Sequence, residues 1–274
     1  MLVFPNAKIN FGLNVVAKRP DGFHNIETLF YPVDLRDMLE IKPSLVEYED
    51  GFKFQNSGLL IDCSPEKNLV VKAYRSINAV KQLPSVDILL HKTIPFGGGL
   101  GGGSSNGAFA LVLLNQLFSC GLNDEGLLKM AETLGSDCPF FIQNRPSFAF
   151  EKGNLLQTAP EVLKGFYILL VIPPVSVNTA MAYSQIEPLK PEMDIKKAIS
   201  CDPKDWKRFI RNDFEGPVFK MFPVVASVKE QMYKMGAFYA SMSGSGSSVY
   251  GLFEKEPDMD DLKKDENFTW KGIL

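Results

Sequence analysis

A glycine-rich segment, PFGGGLGGGSSNG at residues 95–107, limits the folds open to this chain more than any other stretch, since six of residues 97–103 are glycine. Glycine lacks a Cβ atom, so such a segment can adopt positive φ angles and expose consecutive backbone N–H groups. A strand is predicted before it, at residues 86–92, and a buried helix after it, at residues 108–118. The free N–H groups and the dipole at the start of that helix both favour a bound phosphate group.

Three other structures contain glycine runs, and each fits this chain less well. A flexible linker does not lie between a strand and a strongly apolar helix. A dinucleotide-binding fold is compatible with Gly97, Gly99 and Gly102, but it needs an acidic residue about 20 positions further on, at the end of a second strand. Here Asp124 and Glu125 open a helix instead. A Walker-type loop needs Gly-Lys-Ser or Gly-Lys-Thr after the glycines, and neither follows.

Hydrophobic periodicity predicts the remaining elements. Strands are predicted at residues 1–4, 9–16, 27–34, 38–41, 166–172, 237–240, 249–253 and 268–270, with a break at residues 5–8. Helices are predicted at residues 68–83, 122–134, 179–183, 224–235 and 259–264, with Asn68 and Thr179 as N-terminal caps. From residue 166 onward, and apart from the short helix at residues 179–183, the elements follow the order strand, helix, strand, strand, helix, strand, which is typical of a split βαβ fold.

The length of 274 residues favours two domains that share a cleft. A polar stretch at residues 143–152 is the best boundary between them, because it contains Asn-Arg-Pro and follows an apolar run. We therefore expect an α+β protein with one domain at residues 1–146 and a second at residues 147–274.

Charge and cysteine content argue against several classes of function. A net charge of −3 gives no electrostatic case for binding nucleic acid or an anionic membrane. The four cysteines form no C-x-x-C pair and only two histidines are present, so neither a zinc site nor a disulfide framework is expected. The sequence shows no signal peptide and no apolar run of about 18 residues. We expect a cytoplasmic protein, a monomer or weak homodimer, with no nucleic-acid or membrane partner.

Polar residues alternate along the strand predicted at residues 9–16. Lys8, Asn10 and Asn14 share one face, whereas the apolar residues of the strand share the other. This polar face is either solvated or the floor of a polar cleft.

The turn RPDGFH at residues 19–24 places Phe23 and His24 on a loop. There, an aromatic face lies beside a hydrogen-bonding ring, a combination that either binds a ligand or is incidental.

Three further stretches each allow a structural and a functional interpretation. Asp137 lies between a helix and an apolar run, where a carboxylate either makes a turn or cap bond or acts in catalysis. Residues 241–248 form a second loop of small residues, which is either a tight hairpin or a second approach to the ligand of the glycine segment. Residues 185–215, rich in Lys, Pro and Asp, are either a mobile flap or a surface insertion.

Three motifs together resemble the GHMP kinase superfamily. They are AKIN at residues 7–10, the glycine segment at residues 95–106 and LGSDCPF at residues 134–140, and residues 19–24, 68–70, 212–215 and 243–246 also agree. The extended glycine motif and the 19–24 turn are similar to those of members that act on a cytidine-diphosphate-linked methylerythritol. The chain departs from the usual pattern at Asn6, Phe23 and Gly107, where Pro, Tyr and Ala are commoner.

The resemblance implies an N-terminal domain like that of a ribosomal protein and a ferredoxin-like C-terminal domain. It also implies transfer of phosphate from ATP, with Mg²⁺, to the 2-hydroxyl of that small molecule in the non-mevalonate route to isoprenoid precursors. In such an enzyme Asp137 would be the general base, and Lys8 would lie near it and offset developing charge.

The same resemblance implies two sets of binding residues. The ATP-binding set is Pro95, Gly97, Gly98, Gly99, Leu100, Gly101, Gly102, Gly103, Ser104, Ser105, Asn106 and Asn68, with Asn68 near the adenine and Ser104 or Ser105 on phosphate or Mg²⁺. The substrate-binding set is Asn10, Phe23, His24, Tyr183, Gly244 and Gly246, with Phe23 and Tyr183 stacking on the cytosine and His24 bonding to its edge. Two other functions stay open: a kinase with another acceptor, such as a sugar or mevalonate, and a non-catalytic nucleotide- or RNA-binding module.

Overall fold

The computed structural model describes residues 1–59, 64–259 and 266–274. Its strands are β1 (Leu2–Val3), β2 (Asn6–Lys18), β3 (His24–Arg36), β4 (Met38–Pro43), β5 (Phe52–Gly58), β6 (Val86–Lys92), β7 (Ser147–Phe150), β8 (Leu155–Thr158), β9 (Tyr167–Ile172), β10 (Tyr239–Met242), β11 (Val249–Phe253) and β12 (Phe268–Ile273).

The α-helices of the same residues mostly form two groups along the chain, one between β6 and β7 and one between β9 and β10. They are α1 (Leu69–Val80), α2 (Gly102–Leu117), α3 (Asp124–Leu134), α4 (Cys138–Gln143), α5 (Thr179–Ser184), α6 (Ile195–Ala198), α7 (Trp206–Phe209), α8 (Glu215–Met221) and α9 (Pro223–Lys234). Among the residues described, no helix combines the length and hydrophobicity needed to span a membrane.

The chain divides into two compact units, each assembled from separate stretches. Unit 1 comprises Met1–Ala7, Leu35–Phe96 and Gly101–Asn144, and unit 2 comprises Lys8–Asp34, Gly97–Leu100 and Arg145–Leu274. The mixture of helices and sheets in both units confirms the predicted α+β class. The boundary between residues 146 and 147 stays a prediction.

Unit 1 is built on a sheet with the strand order β1-β4-β6-β5, in which β5 runs parallel to β6 and the other pairs are antiparallel. Alternate residues of β6, Ile88 and Leu90, are buried, and α1 packs against α2 in the same unit. Strand β6 has the bounds that the sequence predicted, and the glycine segment follows it directly.

Unit 2 contains two sheets, with the orders β2-β3-β7-β8 and β10-β11-β9-β12. The pairs within the second sheet are all antiparallel, and its order is that of a split βαβ fold, as predicted. The helix predicted at residues 259–264 falls, apart from Met259, outside the described residues.

Several predicted boundaries were wrong for local reasons. A break was expected at residues 5–8, but β2 already begins at Asn6. Of those four residues, only Pro5 lies outside the strand. Helix α2 starts at Gly102 rather than at residue 108, so its first turns are formed by the glycines and serines that precede the apolar run. Helix α5 is capped by Asn178, whose side chain accepts a hydrogen bond from the Met181 N–H, and Thr179 is its first residue.

The second half of the 185–215 stretch is neither a mobile flap nor a surface insertion. Trp206 is buried, and its ring lies 4.9 Å from that of Phe11, centroid to centroid. The Leu13 N–H donates to the Arg211 carbonyl at 2.8 Å, and the Asp213 N–H donates to the Leu13 carbonyl at 2.9 Å. These contacts attach residues 206–213 to unit 2, and Trp206 and Ile210 are buried there.

Candidate active site

The glycine segment adopts the backbone that its composition predicts. Gly97, Gly99 and Gly101 have φ angles of 77°, 77° and 69°, and Gly101 is the N-terminal cap residue of α2. A Cβ atom built on Gly97 or Gly103 meets nothing within 4 Å. Within unit 1, the segment therefore leads into a helix N-terminus with open space at Gly103, and this arrangement fits a phosphate group.

The two serines that begin α2 face different surroundings. Ser105 is fully buried, and its hydroxyl has no hydrogen-bonding partner. Ser104 is half-buried, and its hydroxyl lies beside the thiol of Cys138. Burial raises the pKa of that thiol to about 12, and the charge of Asp137 acts in the same direction. Within unit 1, the first turn of α2 therefore lies against the start of α4.

Asp137 immediately precedes α4, and its side chain is half-buried. It occupies the N-terminal cap position with helical angles of −87° and −13°, but its carboxylate makes no cap bond to that helix. The predicted cap bond of Asp137 is therefore wrong, whereas a turn bond and a catalytic role both stay predictions. Across residues 1–59, 64–259 and 266–274, no three His, Cys, Asp or Glu side chains are grouped as a metal site requires.

Beneath the first turns of α2, unit 1 contains a buried network of Asp37, Lys92 and Asn106. One oxygen of Asp37 accepts bonds from the Lys92 ammonium and, at 2.8 Å, from the Asn106 amide. The other accepts from the backbone N–H groups of Thr93 and Ile94 at 2.8 and 2.9 Å. Lys92 also donates to Asn106 Oδ1 at 3.0 Å. This network joins the end of β6 to the helix that follows the glycine segment.

Two residues of the predicted ATP-binding set are thus held by protein partners. Asn106 is buried, and both ends of its amide bond to Asp37 or Lys92. Asn68 is the N-terminal cap of α1, as predicted, and its Oδ1 accepts from the Val70 N–H at 2.9 Å. Contact of either residue with the nucleotide stays a prediction.

In unit 2, the polar residues at the start of β2 are buried, so the solvated-face interpretation is wrong. Lys8 and Asn10 are 3% and 2% exposed. The Lys8 ammonium donates to Asn10 Oδ1 at 2.6 Å and lies 4.7 Å from the centre of the Phe30 ring. The Asn10 amide in turn donates to Thr28 Oγ1 at 3.1 Å. The strand face is a buried polar surface.

The second glycine-containing loop, residues 243–248, connects β10 to β11, so the hairpin interpretation is correct. It also meets the glycine segment within unit 2. The Ser248 N–H donates to the Gly98 carbonyl at 3.2 Å, and the Ser243 hydroxyl donates to the Gly99 carbonyl at 2.9 Å. A Cβ atom on Gly99 would lie only 2.1 Å from the Ser243 carbonyl oxygen, so this approach requires glycine.

The two glycines of the predicted substrate-binding set, Gly244 and Gly246, belong to this same hairpin. Gly244 lies against Gly99, since a Cβ atom built on it would be 3.2 Å from the Gly99 Cα. Gly246 is buried, and its N–H donates to the Ser243 carbonyl at 3.0 Å. Both have positive φ angles, of 57° and 93°.

The predicted aromatic residues are partly brought together. The rings of His24 and Tyr183 are stacked, with centroids 4.8 Å apart and planes 18° apart, and Phe214 supports Tyr183 edge-on at 4.7 Å. Phe23 is 59% exposed, with the Lys152 ammonium 5.1 Å from its ring centre. Burial, and then the charge of Lys18, lower the pKa of His24. Tyr183 thus contacts His24, while one face of Phe23 lies near a cation.

Sequence reasoning missed Asp37 and Thr28, and it named Ser243 and Asn212 only as parts of motifs. The Asn212 amide donates to the carbonyls of Met242 and Gly244, at 2.7 and 2.9 Å, on either side of Ser243. Asn212 lies in the 212–215 motif, so a polar side chain there was a usable signal. Asp37 had none, because its partners are distant in the sequence.

With this geometry in place, similarity to known proteins identifies the family. Residues 68–145 match the GHMP kinases N terminal domain, and residues 195–265 match the GHMP kinases C terminal domain. The chain is 49% identical to the 4-diphosphocytidyl-2-C-methyl-D-erythritol kinase of Bacteroides thetaiotaomicron, and 44% identical to the enzyme of that name from Porphyromonas gingivalis, with both chains covered in full in each case.

The fold leads to the same family. A crystal structure of 4-(cytidine 5'-diphospho)-2C-methyl-D-erythritol kinase superposes with a TM-score of 0.84 and 32% identity, over 99% of this chain and 98% of the other. A mevalonate kinase, at a TM-score of 0.68 and 18% identity, shares the fold. The chain has the two-domain GHMP kinase fold, and by its whole-length identity to these relatives it belongs to the 4-diphosphocytidyl-2-C-methyl-D-erythritol kinase family of GHMP kinases.

Proposed function

We propose that this chain transfers the γ-phosphoryl group of ATP to the 2-hydroxyl of 4-diphosphocytidyl-2-C-methyl-D-erythritol. The products are the 2-phosphate and ADP, and the step belongs to the non-mevalonate route to isoprenoid precursors. The observation that carries the proposal is the 49% identity, over the full length of both chains, to a relative of that name. The geometry of each unit supports the same reaction.

The backbone N–H groups of residues 97–103 are proposed to hold the ATP phosphates. The open space at Gly97 and Gly103 leaves room for them, and the α2 dipole favours negative charge. Of the two serines, we assign the phosphate contact to Ser104, because the hydroxyl of Ser105 is fully buried. Mg²⁺, which prefers oxygen ligands and substrate phosphates, would be held by Ser104 and ATP and would neutralise phosphate charge.

In the transfer step, we propose that Asp137 is the general base that accepts the proton of the 2-hydroxyl. It lies in the LGSDCPF motif, directly before α4. Lys8 is proposed to offset the charge that develops on the phosphoryl group, with Asn10 setting its direction. No covalent enzyme intermediate is required, since positioning and electrostatic stabilisation dominate phosphoryl transfer.

We propose that Phe23, His24 and Tyr183 bind the cytosine ring of the substrate. The lowered pKa of His24 keeps its ring neutral at neutral pH, so one nitrogen can donate a hydrogen bond while the other accepts one. Stacking on Tyr183 fixes the plane of that ring. A neutral imidazole of fixed orientation suits a base edge that carries both donors and acceptors.

We further propose that the enzyme acts in the cytoplasm as a monomer or weak homodimer, without a nucleic-acid or membrane partner. The net charge of −3 supports the absence of a nucleic-acid partner.

The test is an ADP-release assay with purified protein, ATP and Mg²⁺. Three acceptors are compared: 4-diphosphocytidyl-methylerythritol, the same polyol without its cytidine group, and mevalonate. Turnover with the cytidylated compound alone is expected. Turnover only with another acceptor would overturn the substrate assignment and leave the glycine segment as the phosphate site.

The matched variant is Asp137→Asn, which keeps the size of the side chain and removes its basicity. We expect turnover to fall by about 10²–10⁴-fold, the usual contribution of a general base, while ATP binding is retained. Substantial activity in a folded Asp137→Asn protein would refute the assignment of the base.

A further inference from the structure

We propose that Ser243 is a positioning residue: its hydroxyl fixes Asn10, and through Asn10 the ammonium of Lys8, against the glycine segment Gly97–Leu100. The inference rests on the proposed function, and it adds a residue to which neither motif nor similarity assigns a role. All of the contacts involved lie within unit 2.

The Ser243 hydroxyl uses both of its hydrogen-bonding capacities. It accepts a bond from the Asn10 N–H at 3.2 Å and donates one to the Gly99 carbonyl at 2.9 Å. The side chain is fully buried, so water does not compete for either bond. One hydroxyl therefore bridges strand β2 and the glycine segment.

The hairpin that carries Ser243 is held on both sides of it. Asn212 bonds to the carbonyls of Met242 and Gly244, as described above. The Met242 N–H donates to Glu215 Oε1 at 2.9 Å, and Lys229 pairs with the other oxygen of Glu215 at 2.6 Å. Since its neighbours are fixed in this way, the Ser243 hydroxyl is a rigid reference point.

The same hairpin also binds the other side of the Asn10 peptide. The Tyr250 hydroxyl, on β11, donates to the Asn10 carbonyl at 2.9 Å and is fully buried. Both main-chain polar groups of Asn10 are therefore bound by hairpin side chains. The Oδ1 atom of Asn10 accepts a hydrogen bond from the Lys8 ammonium at 2.6 Å. The position of the ammonium therefore depends on the hairpin that holds Asn10.

Ser243→Ala removes this bridge with little change in volume. It leaves the Asn10 N–H and the Gly99 carbonyl without that partner, so we expect Asn10 and Lys8 to lose their fixed position. We expect kcat to fall about 10- to 100-fold, in line with the sensitivity of phosphoryl transfer to small misplacements. The KM for ATP should change less.

The loop supplies a matched control. Ser248 is equally buried and lies in the same hairpin, but its hydroxyl has no hydrogen-bonding partner. Ser248→Ala makes the same chemical change and is expected to leave kcat and the unfolding temperature close to those of the unaltered enzyme. Ser243→Cys, which keeps a weak donor at the site, is the second variant if Ser243→Ala does not fold.

Two measurements separate positioning from a general loss of structure. The first is a double-mutant cycle with Lys8→Met: if Ser243 acts through Lys8, the double variant should be no slower than Lys8→Met alone. The second is amide hydrogen exchange at Asn10, which should speed up in Ser243→Ala and stay unchanged in Ser248→Ala.

Fully additive losses in the cycle, equal kcat for the two serine variants, or unchanged exchange at Asn10 would each overturn the proposal. The exchange measurement needs no turnover, so it tests the positioning of Asn10 even if the unaltered enzyme uses none of the three acceptors. That last result would instead refute the proposed function.

Discussion

Two lysines of this protein are buried to the same degree but held in different ways. Lys92 and Lys8 are each 3% exposed. In unit 1, Lys92 forms an ion pair with Asp37, whose two oxygens also accept three further hydrogen bonds. In unit 2, Lys8 donates to the amide oxygen of Asn10 and lies over the Phe30 ring. The difference indicates a structural role for Lys92, whose charge is neutralised in a closed network, and is consistent with the catalytic role proposed for Lys8.

The ion pair of unit 1 is the more costly to disturb. Burial lowers the pKa of Lys92, while the neighbouring charge of Asp37 acts in the opposite direction. A buried charge that loses its partner is strongly destabilising, whereas replacing both partners by apolar residues is often tolerated. The contrast between the two lysines can therefore be tested by truncating them and their partners.

The largest effect is expected for Asp37→Ala. Removing this carboxylate leaves Lys92 and two backbone N–H groups buried without their acceptor, and breaking such a pair typically costs about 3–5 kcal/mol of unfolding free energy. Urea denaturation of the purified protein measures this loss. The control is Asp37→Ala combined with Lys92→Met, which removes the orphaned charge and should recover part of the stability. An unfolding free energy within about 1 kcal/mol of the unaltered protein would show that the pair is not structural.

Lys8→Met should lower kcat more than it lowers stability, the opposite of what is expected for Asp37→Ala. The substitution keeps most of the side-chain length but removes the ammonium, and loss of one electrostatic contact to a transition state costs about 10²–10³-fold in kcat. Because the substitution leaves the buried Asn10 Oδ1 without its donor, we expect a loss of about 1–3 kcal/mol of unfolding free energy, smaller than the loss expected for Asp37→Ala. Initial rates and urea denaturation, carried out in parallel with Lys92→Met, compare the two sites. Lower stability with an unchanged kcat in Lys8→Met would remove the distinction between the lysines.

A smaller effect is expected for a third basic group, His24, which burial keeps neutral rather than charged. Because its pKa lies below the ordinary value of 6.5, the ring gains its second proton only as the pH falls below that value. Protonation removes the acceptor nitrogen, so the KM for the cytidylated substrate should be constant near neutral pH and rise several-fold in acid. His24→Gln should abolish this rise. The same acid dependence in His24→Gln would mean that another group is responsible.

Much of the architecture could be predicted because it depends on local patterns. The alternation of apolar residues predicted β6, and an Asn before an apolar run predicted the start of α1 at Asn68. The glycine run predicted that a helix begins close behind it, as α2 does. The motif at residues 212–215 indicated a functional region, although only the structure showed that Asn212 holds a loop.

The contacts that decide the site depend on residues far apart in the sequence, and local patterns do not report them. Asp37 meets Asn106 across 69 positions, and Ser243 meets Asn10 across 233. Periodicity placed Lys8 and Asn10 on one strand face but could not tell a solvated face from a buried one, because that depends on what packs above it. The burial of Trp206 was missed for the same reason.

The surroundings of Cys138 have a consequence for covalent inhibitor design. This thiol is adjacent in sequence to the proposed base, which makes it an attractive anchor for an electrophile. Its raised pKa of about 12, however, leaves very little thiolate at neutral pH, and the thiolate is the reactive form. Among the cysteines that the structure describes, Cys120 and Cys201, which are partly exposed, should be alkylated first. Among the described cysteines, labelling by such a compound would therefore report on those two thiols rather than on the neighbourhood of Asp137.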